Sequence, residues 1–389
     1  MKKLIICIQD FKQGGIPRCL QSLLKEIDTS KYQVDLYCLN HEGPYQKDMP
    51  NCNILAEDRF IKAFTVFSKN ISISNAHKYL TDITCKIIRK LFLLITKKDL
   101  MILRLKRIAK NISTRDTYDT AIAYSEGYPS IFIENVKCKN KAIWIHNDYA
   151  HQGARSGLPL TNIYVYNHIC CVSNATKKSF LTFFPNLSPR ISTIYNIVNY
   201  DYIIDLSKKE IEDKRFKEYE GFKIVSIGRV CAQKNFACIP HIMSKIKGNA
   251  KWFIIGDGPE DEEKIIEEEI KIYKMKDKVI MLGGKENPYC YLANSNLFVL
   301  TSIYESYPTV INEAKVLNIP IISNDIPPAH EMMPELDNCN SITTIENMAE
   351  LIDKAMCQKC QNIGLNVENP FLKHNKSVMN DFYKIVNNP

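Results

Sequence analysis

Lys223-Ile224-Val225-Ser226-Ile227-Gly228-Arg229 is the stretch whose reading decides the fold. An apolar run rich in β-branched residues ends in a glycine and a cation. That pattern predicts a strand, Lys223–Ile227, delivered into a loop. Downstream the pattern recurs. Lys251–Ile255, Val279–Leu282, Leu297–Leu300 and Ile319–Ser323 read as strands, and Asp261–Lys274, Thr309–Leu317 and Glu346–Met356 read as helices. Apolar runs of strand length spaced by helices argue for a parallel sheet covered on both faces.

Upstream, Lys3–Ile8 reads as a first strand, followed by Gly14-Gly15 and a helix with Pro17 in its first turn. Val34–Leu39, Ala121–Tyr124, Lys141–Ile145, His168–Val172 and Ile191–Tyr195 continue the series, with a helix capped at Ser173-Asn174 before the last of them. Asp201–Gly221 is charged, lacks long apolar runs and reads as a linker. The expectation is an α/β protein of two Rossmann-like, doubly wound domains, residues 1–200 and 201–370. A terminal helix within 371–389 returns to the first domain. A ligand is expected at the strand carboxyl ends, in a cleft that the two domains face.

The chain has 389 residues, 45% hydrophobic and 24% charged, which excludes disorder, and its 14 Gly and 17 Pro exclude a fibrous class. Its 14 Cys sit singly in apolar runs, as at Cys7, Cys38 and Cys171, which suits reduced core cysteines in the cytoplasm. Leu4–Ile8 is too short for an export signal, and no apolar run reaches membrane-spanning length. The net charge is +8, and it is unevenly placed: segment 59–115 carries fourteen Lys and Arg against Asp82 and Asp99. This segment interrupts the strand–helix rhythm and reads as helices. Within it Ile87, Ile88, Leu91, Phe92, Leu94 and Ile95 lie among Lys86, Arg89, Lys90, Lys97 and Lys98. An amphipathic basic stretch and an ordinary helix pair with a basic wet face both fit.

Several residues at strand and helix ends carry the chemistry expected of an anion site. Gly14 and Gly15 let the backbone approach a phosphate ahead of a helix amino end. Gly228 ends a strand, and Arg229 and Lys234 place two cations in the loop beyond it. In Ser302–Ala314, Glu305 lies in a loop, Ser306 to Val310 (including Thr309) run into a helix start, and Glu313 lies one turn in, where a carboxylate can accept from a ribose diol. His146 follows a strand of the first half, with Asp148 near enough to orient it or to cap a turn. Cys357 and Cys360 form C-x-x-C without a second pair, which argues against a metal site.

In this order the motifs resemble the GT-B glycosyltransferases, specifically the family-4-like retaining enzymes (glycosyl transferases group 1) of bacterial envelope and capsular polysaccharide synthesis. Ile224–Arg229 with Lys234-Asn235, the turn Gly256-Asp257-Gly258-Pro259, and Glu305 with Glu313 in the E-x7-E spacing carry the likeness, with Gly14-Gly15, His146 and Cys171–Asn174 in the first half. Ser306-Tyr307-Pro308 after Glu305 departs from the family's usual glycine. The resemblance implies a retaining transferase that moves a hexose or N-acetylhexosamine from a nucleotide-sugar, expected to be a UDP-sugar, to a glycan or lipid-linked acceptor. Arg229 and Lys234 would neutralise the leaving diphosphate, and Glu313 would hold the ribose. Glu305 with Ser306–Val310 would hold sugar and phosphate, Gly14-Gly15 would close on the phosphate, and His146 would contact the transferring sugar. No cofactor or metal is implied. A nucleotide-sugar epimerase and a glycosyl phosphorylase share such a fold, but neither needs a basic amphipathic segment. A nucleic-acid binder would want a recognisable module with interleaved aromatics, so nucleic acid is not expected. An anionic membrane surface is the expected partner of 59–115, with a soluble acidic glycan acceptor as the alternative, and the expected location is the cytoplasm, at the inner face of the cell membrane.

Overall fold

The computed structural model describes residues 1–12, 14–65, 76–153, 162–334, 336, 340–357, 369 and 371–388. Residues 66–75 of the basic segment and Cys360 of the C-x-x-C pair lie outside these. The chain divides into two compact units, Met1–Ile197 with Asn375–Pro389, and Val198–His374.

The first unit holds a parallel sheet of seven strands: β1 (Lys2–Asp10), β2 (Tyr32–Asn40), β3 (Asn53–Ile54), β4 (Thr120–Ala123), β5 (Asn140–Ile145), β6 (His168–Cys171) and β7 (Ile191–Thr193). Their order is β3-β2-β1-β4-β5-β6-β7, which turns outward in both directions from β1. Leu4 to Ile8 are all fully buried, so both faces of β1 are covered. On one face, α4 (Leu100–Arg115) presents Met101, Leu105 and Ala109 at helical spacing into a core shared with Ile5 and Cys7. The last helix, Leu372–Asn387, docks on the same sheet. Trp144 and Phe382 are in ring contact at 6.0 Å. The buried Asn140 amide donates to the Ile385 carbonyl at 2.8 Å. That bond fills a carbonyl near a helix end, one of the four that lack intrahelical partners.

The second unit holds six parallel strands: β8 (Phe222–Ile227), β9 (Ala250–Ile255), β10 (Val279–Gly283), β11 (Leu297–Leu300), β12 (Ile321–Asn324) and β13 (Asn340–Thr343), in the order β10-β9-β8-β11-β12-β13. Order reverses beside β8, the topological switch at which open α/β sheets bind ligands. The fold is therefore two doubly wound parallel sheets.

Three readings of the sequence change. Asp201–Gly221 is not a bare linker. It folds into helices Tyr200–Ser207 and Lys214–Lys217, and Ile203 and Phe216 are buried in the second unit's cores. One apolar side chain per turn is enough to anchor a short helix, and so sparse a pattern carries no periodic signal. Strands β3 and β13 escaped notice because they are short edge strands, β3 of two residues and β13 half-buried throughout. Arg89 is no surface cation, as described below.

Segment 59–115 forms α2 (Arg59–Thr65), α3 (Ala76–Thr96) and α4. Among the described residues, no helix is long and apolar enough to cross a membrane.

Candidate active site

In the second unit, β8 runs directly into Gly228, where a Cβ would sit 3.0 Å from Lys234 Cε and 3.2 Å from its Cδ. Absence of a side chain is what admits the lysine stem. The 3₁₀ turn Ala232–Lys234 then closes on Asn235, which takes the left-handed conformation at φ 53°. Behind it, the turn after β9 presses on the same backbone. Val230 N–H donates to the Asp257 carbonyl at 2.9 Å, and a Cβ on Gly256, whose φ is +152°, would lie 1.8 Å from the Gly228 carbonyl oxygen. Only glycine fits there.

Lys234 Nζ meets Glu305 Oε1 at 2.5 Å, with side chains 16% and 9% exposed. Glu305 also accepts from Ser302 Oγ at 2.7 Å, and Gln233 Nε2 donates to the Tyr304 carbonyl at 3.0 Å. Thr301 Oγ1 donates to the Lys234 carbonyl at 2.7 Å, and Asn324 Nδ2 to the Ser302 carbonyl at 2.9 Å. The loops after β8 and β11 and the last residue of β12 are thus cross-tied by side chains at the strand carboxyl ends. Arg229 is exposed in the same loop, and Ser306, Thr309 and Val310 are half-buried.

Helix Thr309–Val316 begins behind Pro308 with no side-chain cap, which leaves its first N–H groups and the positive end of its dipole toward an anion. Glu313 is not a solvated surface carboxylate: it is 4% exposed, and the Tyr289 hydroxyl lies 3.5 Å from its Oε1.

In the first unit, Gly14 precedes α1 (Gly15–Glu26), and a Cβ at Gly14 or Gly15 would meet nothing within 4 Å. These glycines are not required by packing. His146 follows β5 and stacks obliquely on Tyr124 at 5.1 Å. Burial lowers its pKa to about 3, partly offset by a hydrogen bond to the Tyr124 backbone, and its Nε2 has no partner among the described residues. The ring is neutral at ordinary pH and offers a buried lone pair.

Asp148 does not orient that ring. Its Oδ1 accepts from Ser179 Oγ at 2.6 Å and from Ala150 N at 3.0 Å, and its Oδ2 faces His151 Nδ1 at 2.9 Å. It caps a turn. The carboxylate beside His146 is Glu126, which lies just past β4. Its oxygens accept from Asn147 N at 3.0 Å and from Asn147 Nδ2 at 3.2 Å. Burial raises its pKa to about 7, against the hydrogen bonds that lower it. Sequence reasoning missed Glu126 and Gln233. Glu126 had a usable signal, since Tyr124-Ser125-Glu126-Gly127 follows a strand just as His146 does. Among the described residues no three His, Cys, Asp or Glu gather as metal ligands.

Two doubly wound parallel sheets in one chain, with cations and an uncapped helix at the switch point of the second, define the GT-B class. A crystal structure of Anabaena Alr3699/HepE in complex with UDP and glucose superposes with a TM-score of 0.68 at 13% identity, covering 99% of this chain and 100% of that one. The model of the glycosyl transferases group 1 family matches residues 207–366, which lie within the second unit. A glycosyltransferase of Methanocaldococcus jannaschii is 29% identical over 187 residues, which is 46% of this chain and 45% of that protein. The chain therefore spans under half the length of that relative. The N-acetylgalactosamine-N,N'-diacetylbacillosaminyl-diphospho-undecaprenol 4-alpha-N-acetylgalactosaminyltransferase of Campylobacter jejuni is 22% identical over 334 residues, 84% of this chain and 81% of its own.

Proposed function

We propose that this protein transfers a hexose or N-acetylhexosamine from a UDP-sugar to a glycan or lipid-linked acceptor in cell-surface polysaccharide synthesis, with retention of anomeric configuration. The observation that carries the reading is the Lys234–Glu305 pair, held by two cross-tied loops and the end of β12 beside the uncapped helix Thr309–Val316. As the bond from the anomeric carbon to the diphosphate breaks, the sugar takes on oxocarbenium character and negative charge grows on the leaving phosphate. Lys234 and Arg229 stabilise that charge, and so do the N–H groups at Thr309 and Val310. Glu313 receives the ribose diol. In the first unit, Gly14-Gly15 offer bare backbone suited to a phosphate, and neutral His146 offers Nε2 as an acceptor for a sugar hydroxyl.

The Anabaena protein's complex with UDP and glucose supports the donor. The Campylobacter enzyme's name, with its diphospho-undecaprenol acceptor, supports a lipid-linked one. So read, the reaction runs at the cytoplasmic face of the cell membrane. The test is a panel of UDP- and GDP-sugars with a membrane extract as acceptor source. Turnover with one UDP-sugar, lost in Lys234→Ala, is expected. Turnover unaffected by Lys234→Ala overturns the site assignment.

A further inference from the structure

Helix α3 leaves an apolar ridge in solvent. Ile87 and Ile88 are each 53% exposed, Leu91 52%, Leu94 58% and Ile95 80%. At about 100° per residue, these five fall within roughly 120° of arc, and Arg89 points about 200° from Ile87. Arg89 is the side that holds the helix down. Its Nε donates to Asp99 Oδ1 at 2.8 Å, and its Nη2 to Asp99 Oδ2 at 2.5 Å and to the Tyr128 hydroxyl at 2.6 Å. Asp99 is itself the N-cap of α4. A clasp on one side and five bare aliphatic chains on the other give the helix a fixed orientation. Contiguous apolar surface of this kind on a folded protein marks an interaction face.

The charge around the ridge identifies the occupant. Lys62, Arg89 and Arg104 are spent on Glu57, Asp99 and Asp58. Lys90, Lys97 and Lys98 stand exposed beside the ridge, and Lys106, Arg107 and Lys110 are exposed on α4. Aliphatic side chains bordered by cations match a bilayer whose surface is anionic and whose interior is apolar; a soluble acidic glycan uses only the cations. We infer that α3 lies in the plane of an anionic membrane, with Ile87, Ile88, Leu91, Leu94 and Ile95 inserted and Lys90, Lys97 and Lys98 on lipid headgroups. This deepens the reading of a lipid-linked acceptor, and its test is independent of the donor chemistry.

The experiment is co-sedimentation of the full chain with phosphatidylcholine vesicles, with and without phosphatidylglycerol, alongside calorimetric UDP binding and sizing in solution. The wild-type protein should pellet only with phosphatidylglycerol present. Leu91→Gln with Ile95→Gln, and separately Lys90→Gln with Lys97→Gln and Lys98→Gln, should each lower the bound fraction at least tenfold, about the effect of losing one or two membrane contacts. Both variants should bind UDP like wild type, which separates failure of this inference from failure of the donor site. Leu94→Trp should blue-shift its emission on anionic vesicles. Three results overturn the proposal: wild-type protein left in the supernatant with anionic vesicles, no shift for Leu94→Trp, or a lipid-free dimer that the Leu91/Ile95 variant dissociates. The last assigns the ridge to a second copy of the chain.

Discussion

Lys234 Nζ and Glu305 Oε1 stand 2.5 Å apart although 71 residues separate them in sequence. Each is shielded by the loop that carries the other, so the pair fixes the ammonium at a strand end before any donor arrives. On the proposed reading, losing the Lys234 charge removes a charge-assisted phosphate contact, and it leaves Glu305 without its cation. Lys234→Ala should therefore lower kcat at least thirtyfold, about 2 kcal/mol. It should also lower Tm, since an uncompensated, largely buried carboxylate costs on the order of 3 kcal/mol. Steady-state kinetics and thermal melts check the two effects separately.

Glu313 lies in the core rather than on a wet helix face, within reach of Tyr289. Glu313→Gln keeps the shape and loses the charge-assisted acceptor for a diol. Donor KM should rise by about tenfold, corresponding to ~1.4 kcal/mol, with a smaller change in kcat. An unchanged KM would remove Glu313 from the ribose site.

Gly256 supports the loop Gly228–Lys234 from behind. A Cβ there would be 1.8 Å from the Gly228 carbonyl oxygen, at a φ of +152°. The obstacle is backbone, which cannot swing aside as a lysine tip can. Gly256→Ala should destabilise the protein by about 3 kcal/mol or more, seen as a fall in Tm. Gly228→Ala meets only the Lys234 stem, so it should cost activity more than stability.

Stability should depend on pH through two neighbours with opposite signs. Burial raises the Glu126 pKa from 4.5 to about 7, so between those values the folded state binds more protons than the unfolded state. Its contribution is full below pH 4.5 and is lost as pH rises through about 7. His146 is lowered from 6.5 to about 3, so the unfolded state binds more protons in that interval and stability rises with pH across it. Glu126→Gln should remove the first effect alone. Relative to wild type, its Tm should improve as pH is raised from about 5 to about 8. A difference in Tm that does not move with pH would contradict the assignment.

Asp148 is committed to Ser179, Ala150 and His151, which leaves it poorly placed to deprotonate an acceptor. Asp148→Asn should keep activity within about an order of magnitude, and proton NMR of the first product should show the donor's anomeric configuration. Near-total inactivation together with an inverted product would make Asp148 a general base and end the retaining reading.

Sequence alone determined most strand positions, because each core strand is a short apolar run buried on both faces and needs no partner to be recognised. It also determined that Gly228, Lys234, Glu305 and Glu313 sit at strand and helix ends, since those places follow from where the runs stop. Tertiary structure alone decided which of them meet. Lys234 binds Glu305 only because β8 and β11 are neighbours in the sheet, an order that no local spacing encodes. Burial was decided in the same way. The local spacing around Glu313 carried no sign that its carboxylate would be buried beside Tyr289, and Ile203 read as a linker residue until helices from elsewhere in the chain covered it. Leu91 and Ile95 read equally well as core until nothing did. Arg89 and Lys90 are adjacent and chemically similar, yet one clasps Asp99 and the other faces solvent. A helix turns about 100° per residue, and only its packing decides which of the two turns inward.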